Sequence, residues 1–221
     1  MRIEKELKRG EKFDLISFDI FDTLIERDVL NPKDIFYLAG LELFKDEDEA
    51  KLFRERRIKA ESEARKKSDT GEVSLKDIYR ELFAIYGINA GILRERELAL
   101  EVKHCKARED WKTLLEAFVR SGKRVVLISD MYLSSTEISQ MLIECGIEGY
   151  KKLFVSQEYG CGKISGKLYR EAERALGYEK CLHLHYGDSI KADFLGAMRA
   201  MVIPRLVLKD NFVLKLFKKL L

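Results

Sequence analysis

Asp19, Ser129, Lys163, Asp188 and Asp193 carry the side chains that phosphoryl transfer needs. A carboxylate can attack phosphorus, a hydroxyl can bind a phosphoryl oxygen, and an ammonium can offset the charge that grows in the transition state. Further carboxylates can hold a hard divalent ion through oxygen. These residues are scattered along 221 positions, so the chemistry depends on a fold that gathers them.

Each lies at or just beyond the end of an apolar run, or in the connection that follows one. Residues 13–18 (FDLISF) run into Asp19, and residues 124–128 (RVVLI) open onto Ser129 and Asp130. Residues 152–155 and 181–186 repeat the pattern, the latter leading to Gly187 and Asp188. Short apolar runs bounded by turn residues predict buried strands. Helical stretches near residues 134–145 and 166–176, closed by Gly146 and Gly177, lie between them. Strands alternating with helices predict a Rossmann-like α/β domain, a mostly parallel sheet flanked by helices. Right-handed crossovers then bring the C-terminal strand ends to one edge, where such sheets bind ligands.

A different composition separates the first two strands. Asn31-Pro32 supplies a helix-start signal, residues 49–67 form a long charged helical stretch, and Ser74 with Asp77 forms a capping box ahead of DIYRELFAIYG. Residues 92–120 continue the helical pattern, with a break expected near residues 108–110. Residues 28–115 are therefore expected to form a helical cap inserted after the first strand, with residues 11–27 and 116–208 making the sheet domain. An insertion at that point can sit over the polar edge and exclude water. Arg54, Arg57, Glu61 and Arg65 recur at helical spacing and are expected on a solvated face, with a charged ridge toward the active edge as the alternative, while Phe36, Tyr37 and Trp111 are assigned to packing.

Bulk properties narrow the classes. Lys and Arg exceed Asp and Glu by only 41 to 38, so charge gives no reason to expect a nucleic-acid partner. The four cysteines are too dispersed for a redox pair or zinc knuckle, which favours reduced thiols. The charged start carries no secretory apolar segment, and a cytoplasmic protein is expected. Residues 209–221, ending FVLKLFKKLL, predict a basic amphipathic helix suited to core packing, another domain or an anionic membrane surface. His183 and His185 share a strand face and, without a third ligand nearby, are expected at the core edge or in solvent.

In their order, FDIFDTL (residues 18–24), LIS (127–129), KISGKLY (163–169) and GDSIKADFLGAMRAM (187–201) resemble the four motifs of the haloacid dehalogenase-like superfamily, most of whose members are phosphatases. The resemblance implies Asp19 as nucleophile, forming an aspartyl-phosphate, with Ser129 binding phosphate and Lys163 stabilising the transition state. It also implies Mg2+ held by Asp19, the backbone carbonyl of Phe21 and Asp188, with Asp193 in support. A phosphorylated small molecule is the implied substrate. The departure is Phe21, which stands where family phosphatases place a second aspartate as proton donor. Phenylalanine transfers no proton. The adjacent Asp22, an acid from the insertion, or a leaving group that needs little protonation are the alternatives. An aromatic residue at this place also resembles the dehalogenase branch, and a phosphate-binding regulatory or scaffolding domain with little turnover is a third reading.

Overall fold

The computed structural model describes residues 3–178 and 181–208. The expected helix at residues 209–221 lies outside the described residues. Five parallel strands form the central sheet: β1 (Leu15–Phe18), β4 (Arg124–Ser129), β5 (Leu153–Val155), β6 (His183–Gly187) and β7 (Ile203–Leu206), in the order β5-β4-β1-β6-β7. β1, which carries Asp19 just beyond its end, is the central strand. Its side chains alternate between two cores: Ile16 and Phe18 join one cluster, and Leu15 joins the other. Phe18 stacks on Tyr186 of β6 with ring centroids 4.9 Å apart. Burial on both faces explains why β1 and β4 read as nearly unbroken apolar runs.

Helices cover both faces. α1 (Ile3–Gly10) packs on α6 (Glu109–Arg120), while α7 (Ser135–Glu144) and α9 (Lys167–Ala175) follow β4 and β5, with the single turn α8 (Ser156–Tyr159) just after β5. α7 starts with a capping box between Ser134 and Glu137. α6, whose first half falls inside residues 28–115, buries Leu114, Leu115 and Phe118 and packs against α1 and β4.

The helical insertion is α2 (Asp34–Phe44), α3 (Glu47–Lys67), α4 (Leu75–Tyr86) and α5 (Asn89–His104). The strands β2 (Ile25–Arg27) and β3 (Cys105–Ala107) pair antiparallel at its base and tie its entry to its exit. The capping box of Ser74 and Asp77 is present at α4. Arg57 departs from the expected solvated face: it is fully buried, its Nε and Nη2 each donating to Glu97 at 2.8 Å. Its guanidinium lies 4.4 Å from the Phe36 ring centroid and 4.8 Å from that of Tyr132, which follows β4. The insertion is therefore packed onto the loop at the C-terminal end of the sheet. Leu75 N–H donating to the Tyr132 carbonyl at 2.8 Å and Ser156 hydroxyl donating to Glu72 at 2.7 Å add to that contact. No helix among the described residues is long and apolar enough to cross a membrane.

Candidate active site

The parallel register delivers Asp19, Ser129 and Asp188 to one edge. Beyond β1 the backbone folds into a tight loop in which the N–H groups of Thr23, Leu24 and Ile25 all donate to the Ile20 carbonyl. Asp22 occupies the left-handed region at φ 61°, so the chain turns sharply there instead of continuing extended. Its carbonyl accepts from Arg108 at 2.6 Å. Phe21 is half-buried, with the Arg27 guanidinium 4.5 Å from its ring centroid. The apolar ring is thus capped by a cation that is itself held by Glu101 at 2.6 Å.

Lys163 sits in a single 3-10 turn (Lys163–Ser165) that the Asp130 carboxylate braces by accepting the Lys163 N–H at 2.8 Å. Gly196 lets the following segment close on this turn, because a Cβ there would lie 2.2 Å from the Lys163 carbonyl oxygen. The buried ammonium donates at 2.5 Å to both Asp19 and Asp193. Asp193 lies in a π-helical segment (Ile190–Gly196), a wide turn common at functional sites. Its Oδ1 also meets His185 Nε2 at 3.1 Å, and Oδ2 accepts the Ser189 N–H at 2.8 Å. Gly187 is required beneath it, since a Cβ would come within 2.3 Å of the Asp193 carboxyl carbon.

One ammonium therefore faces several carboxylates. Burial alone would raise the Asp193 pKa, but Lys163 and the His185 hydrogen bond outweigh it and hold that carboxyl well below the usual range. Asp19 has fewer donors. Burial pushes it up, to about 7, with the charges of Asp193 and Asp188 adding to the effect and Lys163 opposing it. Burial disfavours the charged form of Lys163, but Asp19 and Asp193 reverse that and keep it protonated.

An oxygen from each of Asp19, Asp188 and Asp193 lies within 4.8 Å of the other two. All three donors are carboxylate oxygens, and burial leaves the Asp19 anion disfavoured, a set that fits a hard divalent cation bound through oxygen. Ser129 is buried at the end of β4 beside this group. The Thr23 hydroxyl in the Asp19 loop is buried with no hydrogen-bond partner among the described residues.

Asp130, His185 and Arg27 complete the surroundings, although the sequence pattern does not mark them for the site. Asp130 carries a signal, as a carboxylate directly after the strand-ending Ser129; the others depend on tertiary contacts. His183 and His185, expected at the core edge or in solvent, are both buried under α9, because β6 lies inside the sheet and Ser17 supplies a polar partner. A cavity of about 450 Å³ lies between the insertion and the sheet domain, lined among others by Arg27, Phe36, Ile58, Arg65, Met131 and Tyr132. It adjoins the site through Arg27 and Met131, but none of the five chemical residues lines it.

No protein-family model matches the sequence, and no curated protein matches it. Solved structures do match. A 2-haloacid dehalogenase from Pseudomonas syringae pv. Tomato DC3000 superposes with a TM-score of 0.63 at 19% identity, over 86% of this chain and 84% of that one. YfnB from Bacillus subtilis, assigned as a HAD-hydrolase and bound to magnesium, gives 0.61 at 16% identity, over 95% and 99%. A protein from Clostridium difficile assigned as a phosphatase gives 0.52 at 14% identity, over 87% and 83%. These alignments span the sheet and the insertion together at low identity, which speaks to architecture. The chain has the haloacid dehalogenase-like fold.

Proposed function

We propose that the chain is a Mg2+-dependent phosphohydrolase that works through an aspartyl-phosphate on Asp19. The observation that carries this reading is the Asp19, Asp188 and Asp193 cluster, whose donors are all oxygen. Asp19, Asp188 and the Phe21 carbonyl would hold the ion, with Asp193 in support. Bound there, it would neutralise Asp19 and the phosphoryl oxygens together. Asp19 attacks phosphorus as the bond to the leaving oxygen breaks, and water then attacks phosphorus to release phosphate and restore the carboxylate. Lys163 keeps Asp19 in place and offsets the charge at the reacting centre. Ser129 donates its hydroxyl to a phosphoryl oxygen. The helical insertion closes the edge, and the cavity beneath it accepts the organic part of a phosphorylated small molecule.

A carbon–halogen hydrolase is the second reading. It is favoured by Phe21, an aromatic residue two positions after the nucleophile, and by dehalogenases among the similar folds. Asp188 argues against it, because a second acid beside the nucleophile serves a cation better than it serves a carbon substrate. A screen that records phosphate and halide release in parallel, with and without Mg2+, tests the assignment. Phosphate release only with the cation is expected. Halide release independent of metal would establish the second reading, and stoichiometric phosphate binding without product would establish a regulatory domain.

A further inference from the structure

A chain of buried hydrogen bonds runs from the edge of the sheet domain to Asp193. Ser17 on β1 and His185 on β6 are register partners, and His183 lies on the same face one strand repeat earlier. Ser17 Oγ stands 2.7 Å from His185 Nδ1 and 2.7 Å from His183 Nε2. His183 Nδ1 meets the Glu173 carboxylate of α9 at 2.9 Å, and His185 Nε2 meets Asp193 Oδ1 at 3.1 Å. The middle is sealed: Ser17 and His185 are each 0% exposed, whereas the Glu173 side chain retains 12%. The ring of Tyr169 covers His185 edge-on, with centroids 4.9 Å apart.

Counting hydrogens gives this chain a direction. Each of its four contacts needs one hydrogen, and both ends are carboxylates that only accept. Ser17 and two neutral imidazoles supply three. With both imidazoles neutral, as burial favours for His183, one contact is left without a hydrogen. Glu173 is the end that reaches water, so the Glu173–His183 contact is the one that can go without. Then His183 Nε2–H donates to Ser17, Ser17 donates to His185 Nδ1, and His185 Nε2–H donates to Asp193. Leaving the gap at the other end would instead set a bare Nε2 against the Asp193 carboxylate.

The geometry points to Glu173, His183 and Ser17 as positioning residues that lock His185 in its Nε2–H form, so that Asp193 Oδ1 is saturated by His185 and Lys163. Oδ2, which among the described residues accepts only the Ser189 N–H, is then the oxygen with capacity left for a cation or its water. This is the logic by which partners of metal-site carboxylates tune affinity from behind. The inference rests on the phosphohydrolase reading only where turnover is measured.

Nitrogen-15 NMR of the histidine-labelled full chain tests it without metal or substrate. His185 is expected to show a protonated Nε2 and a bare Nδ1. Ser17→Ala, which removes both central links, is expected to mix the His185 tautomers, weaken Mg2+ binding in calorimetry by about tenfold, and lower kcat while KM changes little. Glu173→Gln supplies an N–H to His183 Nδ1 and completes the count with neutral groups. His185 is therefore expected to keep its form in that variant, with His183 protonated at Nε2. A His185 protonated at Nδ1 in the native protein, or one unchanged in a folded Ser17→Ala variant with native Mg2+ affinity, would overturn the proposal. Should Ser17→Ala fail to fold, the native and Glu173→Gln spectra decide. Absence of any phosphate release would count against the proposed activity, while the same spectra would still decide for or against the relay.

Discussion

The guanidinium of Arg27 lies over the ring of Phe21, 4.5 Å from its centroid. Under the proposed phosphohydrolase chemistry, the position two residues after the nucleophile, where an acid would protonate the leaving group, carries an apolar ring with a cation over its face. Asp22 is diverted into a left-handed turn, and its carbonyl is engaged by Arg108.

Turnover is therefore expected to rise steeply as the leaving-group pKa falls, so that aryl and acyl phosphates outrun alkyl phosphates of similar size. Phe21→Asp, with Arg27 available as a partner, is expected to gain most on the poor leaving groups. Single-turnover rates across a graded series check both. A flat series in the native protein, with no selective gain in the folded variant, would mean that another group supplies the proton.

Asp19→Asn is expected to abolish turnover and stabilise the metal-free protein. The sign follows from the raised carboxyl: between its ordinary pKa and about 7 the folded state holds a proton that the unfolded state has lost, so stability present at acid pH is lost as pH rises through that window. Removing the buried anion should raise stability on the order of 2 kcal/mol at pH 8, and by little at pH 4. Denaturant titrations of the metal-free proteins at the two pH values measure the difference.

Lys163→Ala should act in the opposite sense on stability and in the same sense on turnover. It leaves buried carboxylates facing one another without their ammonium, which typically costs about 3–5 kcal/mol. Mg2+ should recover more of the stability than of the rate. Thermal melts with and without the ion, set beside kinetics, separate the two.

Gly187→Ala places a methyl group where the Asp193 carboxyl now sits, so either the strand end or the π-helical segment must shift. A loss of about 1–3 kcal/mol in stability is expected, together with weaker Mg2+ binding. Calorimetry on the folded variant checks the second effect; native affinity would show that Asp193 does not support the ion.

The fold is legible in the sequence where burial is two-sided. β1 and β4 announce themselves as apolar runs, and the capping box at Ser74 is fixed by local hydrogen bonds. β7 carries no such signal, since its residues are alternately exposed and half-buried, and the three-residue β2 and β3 are too short for any period. The convergence of Asp19, Ser129 and Asp188 follows from strand ends in a parallel sheet. Arg57 and the two histidines cannot be placed that way. A buried charge or imidazole depends on a distant partner, Glu97 for Arg57 and Ser17 for the histidines, and periodicity assigns a polar residue to solvent when that partner is unseen.

The most direct test of the central claim is one turnover in oxygen-18 water, followed by mass analysis of the released phosphate and of the peptide containing Asp19. An aspartyl-phosphate opened by water at phosphorus predicts heavy oxygen in phosphate and an unlabelled Asp19, in a reaction that stops when Mg2+ is removed. Heavy oxygen appearing in the Asp19 carboxyl, as hydrolysis of an alkyl ester on that residue would produce, or phosphate release undiminished without a divalent ion, would contradict it.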